Sequence, residues 1–190
     1  MENIYTTDHI FEQLNITTKL LEKGEYENCT FKNCDFSEAN FTDFQFVDCH
    51  FYDCNLSLAK LKNTKFQNVS FNDCKLLGLR FEHCNTFGFS VSFKKCSLNH
   101  AIFYQLKLKN TLFDTCQLHE VDFTEADMFQ VNFHNSDLKN AIFDHTNLEK
   151  ANFVMAYNFS INPEQNNLKK AKFSTNNLIG LLEKYNIEVE

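Results

Sequence analysis

Eight cysteines, at positions 29, 34, 49, 54, 74, 84, 96 and 116, and seven histidines, at 9, 50, 83, 100, 119, 134 and 145, are the groups with the most chemistry to offer. Thiols at this density could form disulfides, or a thiolate cluster for a soft metal. Their spacing argues against both. Cys29 and Cys34 stand five apart, as do Cys49 and Cys54, and no CxxC pair occurs. At many other repeats the same slot holds Ala or Val, which share with cysteine only small size and ease of burial, so the thiols read as packing. The histidines fall outside these slots, and none pairs with an inward Ser or Cys as base to nucleophile. His100, His119 and Glu120 come near one another by count, but a surface pair of histidines is ordinarily solvated. HExxH, GxxxxGK[ST], GxGxxG and GxSxG are absent. The expectation is a non-enzymatic chain without catalytic residues, cofactor or metal.

The slot itself is set by a beat of five. Phe31, Phe36, Phe41, Phe46, Phe51, Leu56, Leu61, Phe66, Phe71, Leu76 and Phe81 follow one another at that step, and the beat resumes from Phe93 to Phe153. Five matches neither the helical period of 3.6 nor the strand period of 2, so the chain must turn once per repeat. The small residue two places before each centre shares its face, which makes each repeat a stub of strand plus a corner. If each corner is a right angle, four repeats close a square coil of twenty residues. One side then carries Phe31, Phe51, Phe71, Phe93, Phe113, Phe133, Phe153 and Phe173, and the next Phe36, Leu56, Leu76, Leu98, Leu118 and Leu138. The column Cys34, Cys54, Cys74, Cys96, Cys116 continues only if two residues are inserted between Cys74 and Cys96. Cys84 keeps the old phase and Val91 and Phe93 the new one, which confines the insertion to Asn85–Ser90. Fixed periodicity of this kind marks a solenoid, here all-β. With coils about 4.8 Å apart, about seven coils give a rod on the order of 35 Å long.

Composition supports one domain: 190 residues, one proline, four glycines, no tryptophan and no linker-like stretch. The expected division is a capping segment at 1–24, the β-helix at 25–175, with an irregular coil at 154–170, and a C-terminal α-helix and tail at 176–190. The opening MENIYTTDHIF has no basic region ahead of an apolar stretch, and no apolar run approaches eighteen residues, which points to a soluble cytoplasmic protein without membrane contact. The net charge of −7 gathers on no side as a dense acidic stripe. Its lysine pairs lie scattered among carboxylates, a mixed surface rather than a footprint for nucleic acid.

A solenoid needs caps that cover its terminal coils. Ile10, Phe11 and Leu14 have helical spacing behind Thr7 or Asp8, which predicts a short capping helix. At the other end Asn158 and Pro163 occupy expected centres, and Phe173 and Leu178 return in phase. Asn177 then caps a helix whose Leu178, Leu181, Leu182 and Tyr185 form a wide apolar stripe. That stripe is either a lid on the last coil or, with Val154, Met155, Tyr157 and Phe159, a homodimer interface. The inserted corner is equally two-sided: Phe87, Gly88 and Phe89 either tuck under the neighbouring coil or form a knob that recognises a partner.

The beat with Ala, Cys or Val two before Phe or Leu, as in CDFSEANF (34–41), VDFTEADM (121–128) and LKNAIFDHTNLEKANF (138–153), resembles the pentapeptide-repeat family over about residues 25–180. The resemblance implies a right-handed quadrilateral β-helix and little about function. Within that family, the Qnr-type quinolone-resistance proteins are similar in size, in an irregular N-terminal segment and in a dimerising C-terminal helix, which GLLEKYNIEVE (180–190) resembles. That likeness implies binding to DNA gyrase or topoisomerase IV. The chain departs from the Gram-negative members in lacking their long projecting loops and a strongly acidic side. A general protein-binding scaffold is the alternative expectation.

Overall fold

In a computed structural model, which describes residues 4–15 and 21–188, the chain winds as a four-sided β-solenoid. Its strands are short: β1 (Ile4–Thr7), β2 (Ile10–Glu12), β3 (Gly24–Glu27), β4 (Thr30–Lys32), β5 (Gln45–Val47), β6 (His50–Tyr52), β7 (Lys65–Gln67), β8 (Val69–Asn72), β9 (Val91–Lys94) and β10 (Phe113–Asp114). They stack as two parallel sheets, β1-β3-β5-β7 and β2-β4-β6-β8-β9-β10. Phe11 stands opposite Phe31, Phe31 opposite Phe51 and Phe51 opposite Phe71, each a step of twenty residues. Between β8 and β9 the step is twenty-two, with Phe71 opposite Phe93, so the insertion falls where the period requires it. Farther on, single bridges such as Gln117 to Asp137 and Asn152 to Lys172 keep the register.

Corners follow from the same period. Asn28 (φ 51°), Asn33 (51°), Glu38 (58°) and Asp43 (60°) are left-handed, and the pattern recurs along the chain. Asn and Asp tolerate that region best among non-glycine residues, which explains how so few glycines suffice. Most corner N–H groups are satisfied by the next coil: Asn28 donates to Val47 O at 3.0 Å, Asn33 to Tyr52 O at 3.0 Å and Glu38 to Ser57 O at 2.8 Å. Corner and edge side chains form ladders, with Asn63 Nδ2 on Asp43 Oδ1 at 2.8 Å and Asn147 Nδ2 on Asp127 Oδ1 at 2.8 Å. Amide against carboxylate places a donor on an acceptor where two stacked carboxylates would repel.

Inside, the phenylalanine column runs from Phe11 to Phe173 with successive ring centroids 4.6–5.4 Å apart, each ring lying over the next. Rings on adjoining sides meet edge to face, as Phe103 meets Phe113 at 6.0 Å and 85°. Both arrangements suit the aromatic quadrupole.

The slot two residues before each centre has a second property besides small size. Cys54 Sγ donates to Phe31 O (3.5 Å) and Cys74 Sγ to Phe51 O (3.5 Å), each a carbonyl twenty-three residues back. At four slots that hold another polar residue the acceptor keeps that offset: Thr64 Oγ1 to Phe41 O (2.8 Å), Ser136 Oγ to Phe113 O (3.0 Å), Thr146 Oγ1 to Phe123 O (2.9 Å) and Asn166 Nδ2 to Phe143 O (3.0 Å). Cys96 reaches back twenty-five, to Phe71 O at 3.4 Å, because it spans the insertion. At most levels the slot takes a small apolar group or a short donor for a buried carbonyl of the coil below; Phe44, Leu79 and Leu106 are buried larger exceptions.

Both ends differ from expectation. The predicted N-terminal helix is replaced by β1 and β2, which pair with β3 and β4, so Phe11 lies one step of twenty below Phe31 and the stack begins a level earlier than residue 25. Ring stacking at 4.9 Å outweighs the local helical spacing of Ile10, Phe11 and Leu14. Residues 16–20 of the expected cap lie outside the described residues. At the other end the segment is 3-10 rather than α-helical, at Thr175–Leu181 and Glu183–Tyr185, with Leu182 N–H on Ile179 O (2.9 Å) and Tyr185 N–H on Leu182 O (2.9 Å). Gly180 O accepts from Ile161 N–H at 2.8 Å, which ties the segment to the irregular stretch before it. Asn177, expected as the cap preceding this helix, lies inside it. Its Oδ1 accepts from Ser174 N–H (3.0 Å), and its Nδ2 donates to Phe153 O (2.8 Å) and Ala156 O (3.0 Å).

Candidate interaction surfaces

All eight cysteines are buried with free thiols. Burial pushes the Cys49 thiol up to about 12 and raises Cys84 as well, so neither supplies a thiolate near neutral pH. The histidines lie on the outside, where His100 faces Glu120 at 3.4 Å and His119 Nε2 meets Asp137 Oδ2 at 2.9 Å. These are two separate pairs rather than the single group suggested by count. Among the described residues no cluster of three or more His, Cys, Asp or Glu could hold a metal ion, and no helix is long and apolar enough to cross a membrane.

The inserted corner resolves into one buried and one projecting ring. Asn85 N–H donates to Thr64 O at 2.9 Å and its Oδ1 accepts from Phe87 N–H at 2.9 Å, while Ser90 N–H returns to Phe66 O at 3.0 Å. Between these anchors Gly88 takes φ +69°, a conformation that favours glycine. Phe89 turns inward, half-buried, with its ring edge-on to Phe81 at 6.3 Å. Phe87 turns outward and is 81% exposed, the most exposed large apolar side chain among the described residues. The two sequence alternatives are thus divided between the two phenylalanines.

At the C-terminal end, Gly180 lies against Phe159: a Cβ there would stand 2.3 Å from Phe159 O and 2.7 Å from its ring. Phe159, expected on an exposed apolar patch, is 3% exposed and packs on Phe153 (5.3 Å) and Phe173 (5.6 Å). Asn158 takes a corner conformation (φ 57°), and the next residue supplies the inward ring that Asn158 cannot. Phe159 is therefore core, unable to present its ring to a second copy. Leu181 packs on the core and Leu182 is half-buried, as a lid requires, whereas Leu178 (42%) and Tyr185 (51%) remain exposed. Val154, Met155, Tyr157 and Ile179 are exposed in the same part of the chain. Glu164 ties the segment down through Lys184 (2.6 Å) and Tyr185 Oη (3.1 Å).

Leu58 and Leu77, also exposed, carried no expectation from the sequence. The available signal was Leu58 at a left-handed corner (φ 59°), where a bulky residue is out of place.

Residues 25–90 and 79–153 match the family described as pentapeptide repeat region. No curated protein matches. Among solved structures, a trypsin-treated variant of QnrB1, a plasmid-mediated fluoroquinolone resistance protein, is similar with a TM-score of 0.59 at 16% identity, covering 98% of this chain and 100% of that one. A second trypsin-treated QnrB1 variant gives 0.57 at 17% identity, with both chains fully covered. At such identity the likeness is one of fold. With the family match spanning more than half of the sequence and the five-residue beat wound into a four-sided solenoid, the chain belongs to the pentapeptide-repeat family.

Proposed function

We propose that this chain is a non-enzymatic protein-interaction module whose specific partner is DNA gyrase or topoisomerase IV, with protection against quinolones as the outcome. The observation that carries the reading is the Phe87 corner, where an 81% exposed ring is held out from a rod whose other phenylalanines are largely turned inward. Exposed aromatic side chains on a rigid base are frequent anchors in protein interfaces. The fold likeness to QnrB1, a fluoroquinolone resistance protein, over 98% of this chain supports a topoisomerase as the partner class. A homodimer through Leu178, Tyr185 and their exposed neighbours belongs to the same reading, without Phe159.

The test is relief of ciprofloxacin inhibition in a gyrase supercoiling assay. Purified protein at tens of micromolar restores supercoiling, and Phe87→Ser weakens that effect while leaving the fold unchanged by circular dichroism. Absence of relief removes the topoisomerase reading. Size-exclusion chromatography with light scattering tests the dimer, which Leu178→Glu disrupts.

The second reading is a general scaffold with another protein partner. It is favoured by the corner itself, which adds only two residues to a coil, and by the mixed charge of the surface.

A further inference from the structure

A groove of about 450 Å³ runs along the corner formed by Leu58 and Gly78, lined by Thr42, Ala59, Lys60, Leu61, Lys62, Arg80 and His83. Its floor is aliphatic. Leu58 is 55% exposed, and its Cδ2 lies where a Cβ on Gly78 would stand only 2.8 Å away, so the glycine leaves room for the leucine to lie along the corner. Leu77, 40% exposed, accepts the Leu58 N–H at its carbonyl (2.9 Å) and widens the apolar surface. The rim is cationic. Neither Lys60 nor Lys62 has an ion-pair or hydrogen-bond partner for its ammonium group among the described residues. Arg80 meets Glu82 through Nε alone (2.8 Å), which leaves its terminal guanidinium nitrogens unpaired. Asp43, whose carboxylate feels Lys62, is already held by Lys23 at 2.7 Å.

Unpaired cations around exposed leucines stand out on a chain whose net charge is −7. Like-charged neighbours without counter-ions repel, and exposed aliphatic side chains gain from removal from water, so one ligand that answers both has carboxylates flanking an aliphatic residue. We propose that this groove binds an acidic, leucine-bearing peptide segment of a protein partner. Charge complementarity selects the acidic chain, and the leucine floor selects peptide over nucleic acid, since no Phe, Tyr or Trp lines the groove and His83 is its one ring. The proposal rests on the reading of this chain as a protein-binding module, independently of the topoisomerase and of Phe87.

The test is fluorescence anisotropy with the fluorescein-labelled peptide Gly-Asp-Glu-Leu-Glu-Asp-Leu-Gly. Saturable binding is expected below about 1 mM, weakening between about 50 and 300 mM salt as screening grows. Lys60→Glu with Lys62→Glu lowers affinity by about tenfold or more, consistent with two lost charge contacts turned repulsive. Lys60→Gln with Lys62→Gln weakens it less, and Leu58→Ser weakens it several-fold. Lys107→Glu with Lys109→Glu, on another side of the rod, leaves it unchanged. Absence of saturable binding, equal binding of the same peptide with Gly for Leu, tighter binding of a DNA duplex of matching charge, or equal loss in the Lys107/Lys109 variant overturns the proposal. Wild-type behaviour of the Lys60/Lys62 variants in the gyrase assay, together with lost peptide binding, separates this groove from the topoisomerase reading.

Discussion

Ser136 offers a sharp test of how the slot before each centre works. Its side chain is fully buried; Oγ donates to Phe113 O at 3.0 Å and accepts from Cys116 N–H at 3.1 Å. Ser136→Ala removes both bonds while changing volume little, so the cavity contribution is small. What remains is a buried amide without its acceptor, which costs about 1–3 kcal/mol, and one lost donor to a carbonyl. A destabilisation of about 2 kcal/mol is expected. With a urea slope near 2 kcal/mol per molar, the midpoint moves down by about 1 M, read by circular dichroism. Hydrogen exchange gives the local measurement, because the Cys116 amide should lose protection selectively. Ser136→Cys, which restores the donor used at Cys54 and Cys74 but offers Cys116 N–H only a weak acceptor, should recover part of the loss. If Ser136→Ala is as stable as the parent, or Ser136→Cys is no better than Ser136→Ala, the slot selects for size alone and the hydrogen-bond argument is wrong.

Three further outcomes follow from packing and ionisation. Phe113→Ala, at a ring flanked by Phe93 and Phe133 at 5.2 Å, should cost about 3–5 kcal/mol in urea unfolding, the range for deleting a buried phenylalanine. Gly180→Ala forces a methyl to within 2.3 Å of Phe159 O and should cost about 1–3 kcal/mol, read also as faster exchange of the Ile161 amide. Because the folded Cys49 pKa is raised to about 12, above its unfolded value, its contribution is complete below the unfolded pKa and declines as pH rises towards the folded one. Urea midpoints should therefore fall between about pH 9 and pH 11, and less steeply in Cys49→Ala.

Much of the fold is legible because a solenoid repeats one local solution. The step of twenty fixes which phenylalanines stack, and its failure between Cys74 and Cys96 locates the insertion to within six residues. The first level was obscured by competition between periods: Ile10, Phe11 and Leu14 satisfy a helix, and only the return from Phe31 to Phe11 reveals the strand. Phe159 was obscured because Asn158 holds the expected centre and a displaced corner passes that role to the following residue. The surface was least legible. Whether Phe87 or Phe89 projects depends on hydrogen bonds to Thr64 and Phe66 in the coil below, which no count along the chain supplies. The Leu58 groove arises from residues on neighbouring coils that lie about twenty apart in sequence.

The parallel stacking of coils also gives the protein a mechanical grain. Strands lie across the rod and the hydrogen bonds between coils point along it, so tension between the two ends pulls each rung in its own direction and peels coils singly rather than shearing a sheet. Each released coil of about twenty residues lengthens the chain by roughly 70 Å at full extension. The coil that carries the Asn85–Ser90 corner, two residues longer, releases roughly 7 Å more, leaving one distinguishable step in an otherwise even staircase.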